Sequence, residues 1–340
     1  MFDKWITGFP VILCMVLPLS CSDSGMPLTD APHEEICVLE TDGSCGMLGR
    51  LNSLAVIDSD CFAICDETQV YLYNMQGKQI RCIGQSGNAG YEYNMPTVVR
   101  TDGKDIYVWS SMTMKFLAYD LQGKVTGEYG YSSAIRDFIP CGDNIAVYTN
   151  GVRDDMMIDI YSKSDKEIKG GAWNTTEEHK VLLKWLSSAP LLYDNGNIYS
   201  VPQDKLELVR IDKAGKAASV STIRSDSFSV SESRNTRNRQ AAMKYRLDNP
   251  YTVLLAKKGG SFFLLASEGV YSEKDKGMDD SRRYYTLYKF AGHDGKRLMS
   301  FSCRSFGYSN LLSEYDGDIY YIHHEIIDGE DVYTLNRLKY

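Results

Sequence analysis

Five histidines, nine cysteines and several aspartate pairs are the residues that could act on a substrate or hold a metal. His33, His179, His293, His323 and His324 show no HExxH spacing, so no helical zinc pair is expected. His323 and His324 are adjacent in a strand-like stretch, so their side chains point to opposite sides and cannot both face one ion. Asp154-Asp155 and Asp279-Asp280 fall on loops, but neither run has the spaced oxygen ligands of a calcium loop. Asp58, Asp60, Asp316 and Asp318 read as turn formers. Neither a phosphate-cradling GxxxxGK[ST] nor a GxSxG elbow occurs. Carboxylate pairs of the glycosidase kind can be assembled from distant parts of a chain. A lyase or hydrolase with a metal or carboxylate site at a central funnel is therefore the alternative function. No catalytic residue, cofactor or metal ligand is assigned.

Seven cysteines lie beyond the N-terminal segment: Cys37, Cys45, Cys61, Cys65, Cys82, Cys141 and Cys303. The number is odd, no pair has CxxC spacing, and a chain this long does not need staples. Cys61 and Cys65 share one face of a strand. Small buried apolar residues is the simplest reading. Disulfides stay open, with no connectivity to be read.

Aromatic side chains are the better pointer to a ligand, because rings stack on sugars and peptides by burying apolar area. Tyr91, Tyr93, Trp109, Trp173 and Tyr284 all fall on or near long connections. A basic run, Asn235 to Leu247, with Arg237, Arg239, Lys244 and Arg246 after Arg234, could hold an anion such as an acidic sugar, although such runs are commonly solvated faces. The ligand-binding candidates are thus Tyr91, Tyr93, Trp109, Trp173, Arg246 and Tyr284.

A repeat must position them. Aromatic strands lead into short turns at Tyr73-Asn-Met-Gln-Gly-Lys78, Tyr119-Asp-Leu-Gln-Gly-Lys124, Tyr161-Ser-Lys-Ser-Asp-Lys166, Ile211-Asp-Lys-Ala-Gly-Lys216 and Phe290-Ala-Gly-His-Asp-Gly-Lys296. A second hairpin precedes each, as at Asp102-Gly-Lys-Asp-Ile-Tyr-Val108 and Asp316-Gly-Asp-Ile-Tyr-Tyr321. Two hairpins make a four-stranded unit, and the repeat of roughly 40–50 residues is that of a propeller blade. The count closes at six. The last copy has only three strands, and the chain begins with an orphan strand near Glu35–Glu40. Pairing that orphan beside the last blade completes it and removes a free edge. The expected fold is an all-β six-bladed propeller over residues 34–340.

The repeat resembles the NHL and TolB-like six-bladed propellers, and above all the six-bladed propeller lipoproteins of Bacteroidota-type bacteria. Tyr73-Asn-Met-Gln-Gly-Lys78 and Ile83-Gly-Gln-Ser-Gly-Asn-Ala-Gly-Tyr-Glu-Tyr-Asn-Met-Pro96 carry the likeness. Tyr91 stands where the family has its final glycine before Glu-Tyr. The resemblance implies the fold and an address in the cell envelope; it implies no reaction.

Strand parity then sorts the connections. Turns between strands one and two, and between three and four, share one face. Connections between strands two and three, and between blades, share the other. All long segments belong to the second group: Gly84–Pro96, Gly130–Arg136, Gly171–Pro190, Arg224–Pro250, Glu268–Tyr284 and Cys303–Asn310. Long loops gathered on one side of a rigid scaffold form a binding-site pattern. Two decorations read as helical: one with a capping box at Thr175-Thr-Glu-Glu178 and an apolar stripe of Val181, Leu182, Trp185 and Leu186, the other the basic stretch Asn235–Leu247.

Residues 1–20 lie outside the fold. Phe9–Leu19 is an apolar run too short to span a bilayer, and Ser20-Cys21 follows it. This resembles a lipoprotein signal peptide cleaved before Cys21, with Pro18 where a lipobox usually has Leu. Cys21 would carry the lipid and 21–33 would be a tether entering from the short-turn face. The net charge of −8 and pI near 5.3 argue against nucleic acid, whose binders are basic. The sequence therefore predicts an outer-membrane lipoprotein that binds or scaffolds a glycan, peptide or protein through its long-connection face.

Overall fold

A computed structural model describes residues 30–40, 45–149, 156–174, 190–202, 205–225, 228, 249–268, 284–291, 294–302 and 311–340. Among these described residues, twenty-four strands build six blades. Blade 1 holds β2 (Ser53–Val56), β3 (Cys61–Cys65), β4 (Val70–Asn74) and β5 (Gln79–Ile83). Blade 2 holds β6 (Pro96–Thr101), β7 (Ile106–Ser110), β8 (Lys115–Tyr119) and β9 (Val125–Gly130). Blade 3 holds β10 (Ile135–Cys141), β11 (Asn144–Thr149), β12 (Met156–Ser162) and β13 (Glu167–Asn174). Blade 4 holds β14 (Leu191–Asp194), β15 (Asn197–Ser200), β16 (Glu207–Ile211) and β17 (Ala217–Thr222). Blade 5 holds β18 (Tyr251–Lys258), β19 (Ser261–Glu268), β20 (Tyr284–Ala291) and β21 (Asp294–Ser302). Blade 6 holds β22 (Leu312–Tyr315), β23 (Asp318–Ile327) and β24 (Glu330–Leu338), and its fourth strand is β1 (His33–Val38).

The core explains why the strands lack the alternation of a one-sided sheet. Each blade is covered on both faces by its neighbours, so its strands read as continuous apolar runs. In β3 all five residues of Cys61-Phe-Ala-Ile-Cys65 are buried. Cys61, Ala63 and Cys65 point into the junction with blade 2, while Phe62 and Ile64 point into the junction with blade 6. Six apolar clusters fill the six junctions.

Turn chemistry is repeated as well. Asn74, Asp120 and Asp212 each sit three residues before a glycine. Their Oδ1 atoms accept from two main-chain N–H groups of the turn, at 2.8–3.1 Å. Gly77, Gly123 and Gly215 then adopt φ of 83°, 81° and 79°, a region where a side chain is strained. The Asp165 turn differs: Lys166, at φ 56°, takes the left-handed position.

Ring closure follows the expected route. β1 pairs antiparallel with β24, from His33↔Leu338 to Val38↔Thr334. Past its end, Glu40 N–H donates to Gly77 O at 2.8 Å and Glu40 bridges Lys78 in parallel. Thr222 of β17 meets Asp294 of β21 in the same parallel sense, so the closing junction copies an internal one. The segments flanking β1 and β24 meet as well: Lys339 N–H donates to Pro32 O, and the Tyr340 hydroxyl reaches the β22–β23 turn at Gly317 O. Glu34 and Arg337 add an ion pair at 2.6 Å across β1 and β24.

Two cysteines depart from the apolar reading. Cys45 and Cys82 form a disulfide with Cα atoms 5.9 Å apart, fastening the connection after β1 to β5. Cys37, Cys61, Cys65 and Cys141 are free and buried. Burial pushes Cys37 and Cys141 up to about 11 and Cys61 to about 12, so they stay as thiols. Among the described residues no helix is long and apolar enough to cross a membrane. Residues 1–20, Cys21, Arg246, Cys303, the 175–186 segment and both loop aspartate pairs lie outside the described residues.

Candidate functional site

Two places could host a ligand: the axis and the long-connection face. Innermost strands β2, β6, β10, β14, β18 and β22 ring an axial cavity of about 120 Å³. Leu54, Arg100, Asp137, Leu192, Thr252 and Glu314 line it, one from each blade. An innermost strand has a free edge whose backbone groups need partners. Hydroxyls of neighbouring blades supply them. Ser53 Oγ donates to Val99 O and accepts from Val99 N–H at 3.1 Å. Ser313 Oγ accepts from Val56 N–H at 2.9 Å.

The axial charges are engaged. Arg100 pairs with Asp137 at 2.7 Å and donates to Val99 O at 2.8 Å. Glu314 accepts from Gly317 N–H at 2.8 Å, which caps the β22–β23 turn. Burial raises its carboxyl to about 7, against the lowering effect of that N–H. No group of three or more His, Cys, Asp or Glu among the described residues could hold a metal. Size decides what the axis can admit. Pockets that enclose a small organic ligand run to roughly 300–1,000 Å³. The axial cavity is well below that and suits a few waters rather than a sugar or a peptide.

The long-connection face is different. Among the described residues, the large apolar side chains exposed there are Met47, Tyr91, Met95, Met112, Met114, Ile326 and Ile327. The short-turn face exposes Tyr193, and the remaining four, Val38, Ile80, Val220 and Leu298, lie on outer strands. Blade 2 carries the densest group. The 84–95 connection is tied to the β7–β8 turn, where Ser111 N–H donates to Met95 O and Met112 N–H to Asn94 O. Beneath it, the buried Lys115 ammonium donates to Ala89 O at 3.0 Å, to Gly90 O and to Glu128 Oε1 at 3.0 Å. Glu92 Oε2 accepts from Ala89 N–H at 2.8 Å, and a Cβ on Gly87 would collide with that carboxylate. This is a fixed platform with an apolar outer surface.

The candidates separate on it. Tyr91 is 63% exposed, with its backbone held by the Tyr119 hydroxyl at 3.0 Å. Tyr93 corrects the expectation of an exposed ring. It is fully buried, donating to Ile83 O at 2.6 Å and accepting from Val70 N–H at 3.1 Å. Trp109 is corrected likewise. It lies in the junction of blades 2 and 3, 4.8 Å from the Phe116 ring, because a blade strand is covered on both sides. Trp173 is half-buried against the core between blades 3 and 4. Tyr284 is half-buried, paired with Glu268 and Ser302.

Met95, Met112 and Met114 escaped sequence reasoning, although Ser110-Ser-Met-Thr-Met-Lys115 puts two apolar residues in a turn where polar ones are the rule. The Asp58 and histidine readings agree with the structure. Asp58 Oδ1 accepts from Asp60 and Cys61 N–H. His323 and His324 stand on opposite faces of β23 and bond Glu325 and Asp331 separately.

Comparison with known proteins agrees with this architecture. A Bacteroides fragilis protein inferred to be exported matches with a TM-score of 0.59 at 14% identity, over 92% of this chain and 95% of that one. A Bacteroides vulgatus member of the DUF4221 family matches with a TM-score of 0.56 at 10% identity, again over 92% and 95%. At such identities the likeness bears on the fold alone. No curated protein matches the sequence. The model of the DUF5128 family, described as a 6-bladed beta-propeller, matches residues 35–265. The chain belongs to this family of six-bladed β-propellers.

Proposed function

We propose that this protein is a lipid-anchored binding or scaffold propeller of the cell envelope, recognising a peptide, protein or glycan through its long-connection face. One observation carries the reading: among the described residues, exposed large apolar side chains concentrate on that face and are nearly absent from the opposite one. Large apolar groups gathered in water on one face, as on blade 2, are costly unless something covers them. Methionines suit this role, because their flexible thioether chains adapt to partners of varied shape.

The Cys45–Cys82 disulfide supports the envelope assignment, since such bridges persist in oxidising compartments outside the cytoplasm. Anchoring through Cys21 rests on the N-terminal sequence. A tether from Cys21 entering β1 at His33 on the short-turn face would leave the long connections facing away from the membrane.

The test does not require knowing the ligand. The mature chain is tethered to a support either through Lys104→Cys on the short-turn face or through Met112→Cys on the long-connection face. Each is probed with a phage-displayed peptide library and a panel of defined polysaccharides. Binders recovered from the first arrangement and lost in the second support the reading. Equal recovery from both, or no binder from either, refutes it.

A further inference from the structure

The hairpin of β23 and β24 outgrows its blade. β22 pairs with β23 only from Tyr315↔Asp318 to Leu312↔Tyr321. β1 pairs with β24 only as far as Val38↔Thr334, with Leu39 N–H donating once more to Tyr333 O. β23 thus leaves β22 after Tyr321, and from Glu325↔Val332 to Ile327↔Glu330 the two strands pair with each other alone among the described residues. The stretch Ile322–Ile327 thus runs about 20 Å with an edge unpaired among the described residues. A two-stranded ribbon is marginal in water, and its open edge is a template for another strand.

Its side chains define what would fit. Register places His323, Glu325, Ile327, Glu330 and Val332 on one face. The other face carries His324, Ile326, Asp331 and Tyr333, with the His324 and Tyr333 rings stacked 4.6 Å apart. Ile326 is 71% and Ile327 49% exposed. Glu325, Asp328, Glu330 and Asp331 surround them, all exposed. Each face therefore presents an apolar residue beside carboxylates.

We infer that the free edge of β23 receives an extended segment of a partner protein, with lysine or arginine alternating with apolar residues, added as a further strand. Main-chain hydrogen bonds to Ile322–Ile327 supply affinity, and side chains on the two faces supply selection. Edge charges in isolated proteins serve to repel strand pairing. Here they repel a second acidic copy while attracting a basic segment, which commits the site to a heterologous partner. The inference rests on the proposal that the long-connection face is the recognition face.

The probe is a capped ten-residue peptide alternating Lys and Val, with its Glu/Val mirror as control, titrated into the mature chain. The basic peptide is expected to bind at least tenfold more tightly than the mirror, more weakly as salt rises, and to slow amide exchange in Ile322–Ile327. Glu325→Lys with Glu330→Lys should reverse the preference. Ile326→Ser with Ile327→Ser should weaken binding at least tenfold, and a thermal midpoint unchanged in either double variant shows that the blade is intact. Equal affinity for both peptides, insensitivity to the hairpin variants, or hairpin-mediated dimerisation overturns the inference. Basic-peptide binding lost only in Met95→Ser with Met112→Ser would sink the hairpin while leaving the recognition face standing.

Discussion

Replacing Gly77 by alanine tests ring closure with an internal control. Gly77 and Gly103 have nearly the same backbone, φ 83° and 85°. An alanine at either carries the left-handed cost of about 1–2 kcal/mol. At Gly103 an added Cβ meets nothing within 4 Å. At Gly77 it would lie 1.9 Å from Val38 O, well inside van der Waals contact. Either the turn or the end of β1 must move, straining the Glu40–Gly77 hydrogen bond. Overpacking of that kind costs a further ~1–3 kcal/mol. Unfolding entropy near 60 °C is about 2.1 cal/mol/K per residue, or roughly 0.6 kcal/mol/K for a propeller of this length. Gly103→Ala should then lower the thermal midpoint by about 2–3 °C and Gly77→Ala by about 3–8 °C. Calorimetry on the purified mature chain gives the midpoints, and amide exchange at Leu39 and Glu40 should quicken only in Gly77→Ala. Equal shifts, with β1 exchange unchanged, would refute the packing of the closing strand against blade 1.

Tyr93→Phe should destabilise by about 1–3 kcal/mol, since it leaves a buried carbonyl and a buried N–H without their partner; Tyr91→Ser should change the denaturant midpoint within error. Glu314 titrates higher in the folded than the unfolded chain, so the folded state holds the extra proton between about pH 4.5 and 7. Stability therefore falls as pH rises through that window, and Glu314→Gln, which keeps an acceptor for Gly317 N–H, should flatten the fall in a pH series of midpoints. Cys82→Ser should cost about 2–4 kcal/mol, because the Cys45–Cys82 bridge closes a loop with a sequence separation of 37; an unchanged midpoint, together with seven reactive thiols in the unfolded chain from residue 22 onward, would show that the bridge is absent.

The architecture was legible because a propeller is a repeat. Gly77, Gly123 and Gly215 marked one turn in blade after blade, and the orphan strand had one open place to go. The site was harder to read for the same physical reason. In a blade covered on both faces, an aromatic residue near a strand end, such as Trp109, is as buried as one at its centre. Tyr93 sits on a connection, yet its hydroxyl turns inward to satisfy two backbone groups that the ladder leaves open. Disulfide partners 37 residues apart in sequence become neighbours only once β1 has crossed to blade 1. The apolar tip at Ile326-Ile327 gave no signal until the unequal pairing of β22 and β23 left it standing alone.

Differential amide exchange tests the central claim, that recognition occurs on the long-connection face, most directly. The full-length protein is measured in envelope fractions of cells that express it, and again as the purified chain from residue 22 onward. The account predicts slowing in the envelopes confined to residues 84–95, 111–114 and 322–333, with the short turns 102–105, 120–124 and 212–216 unchanged. Slowing confined to those short turns, or no difference between the two samples, would contradict it.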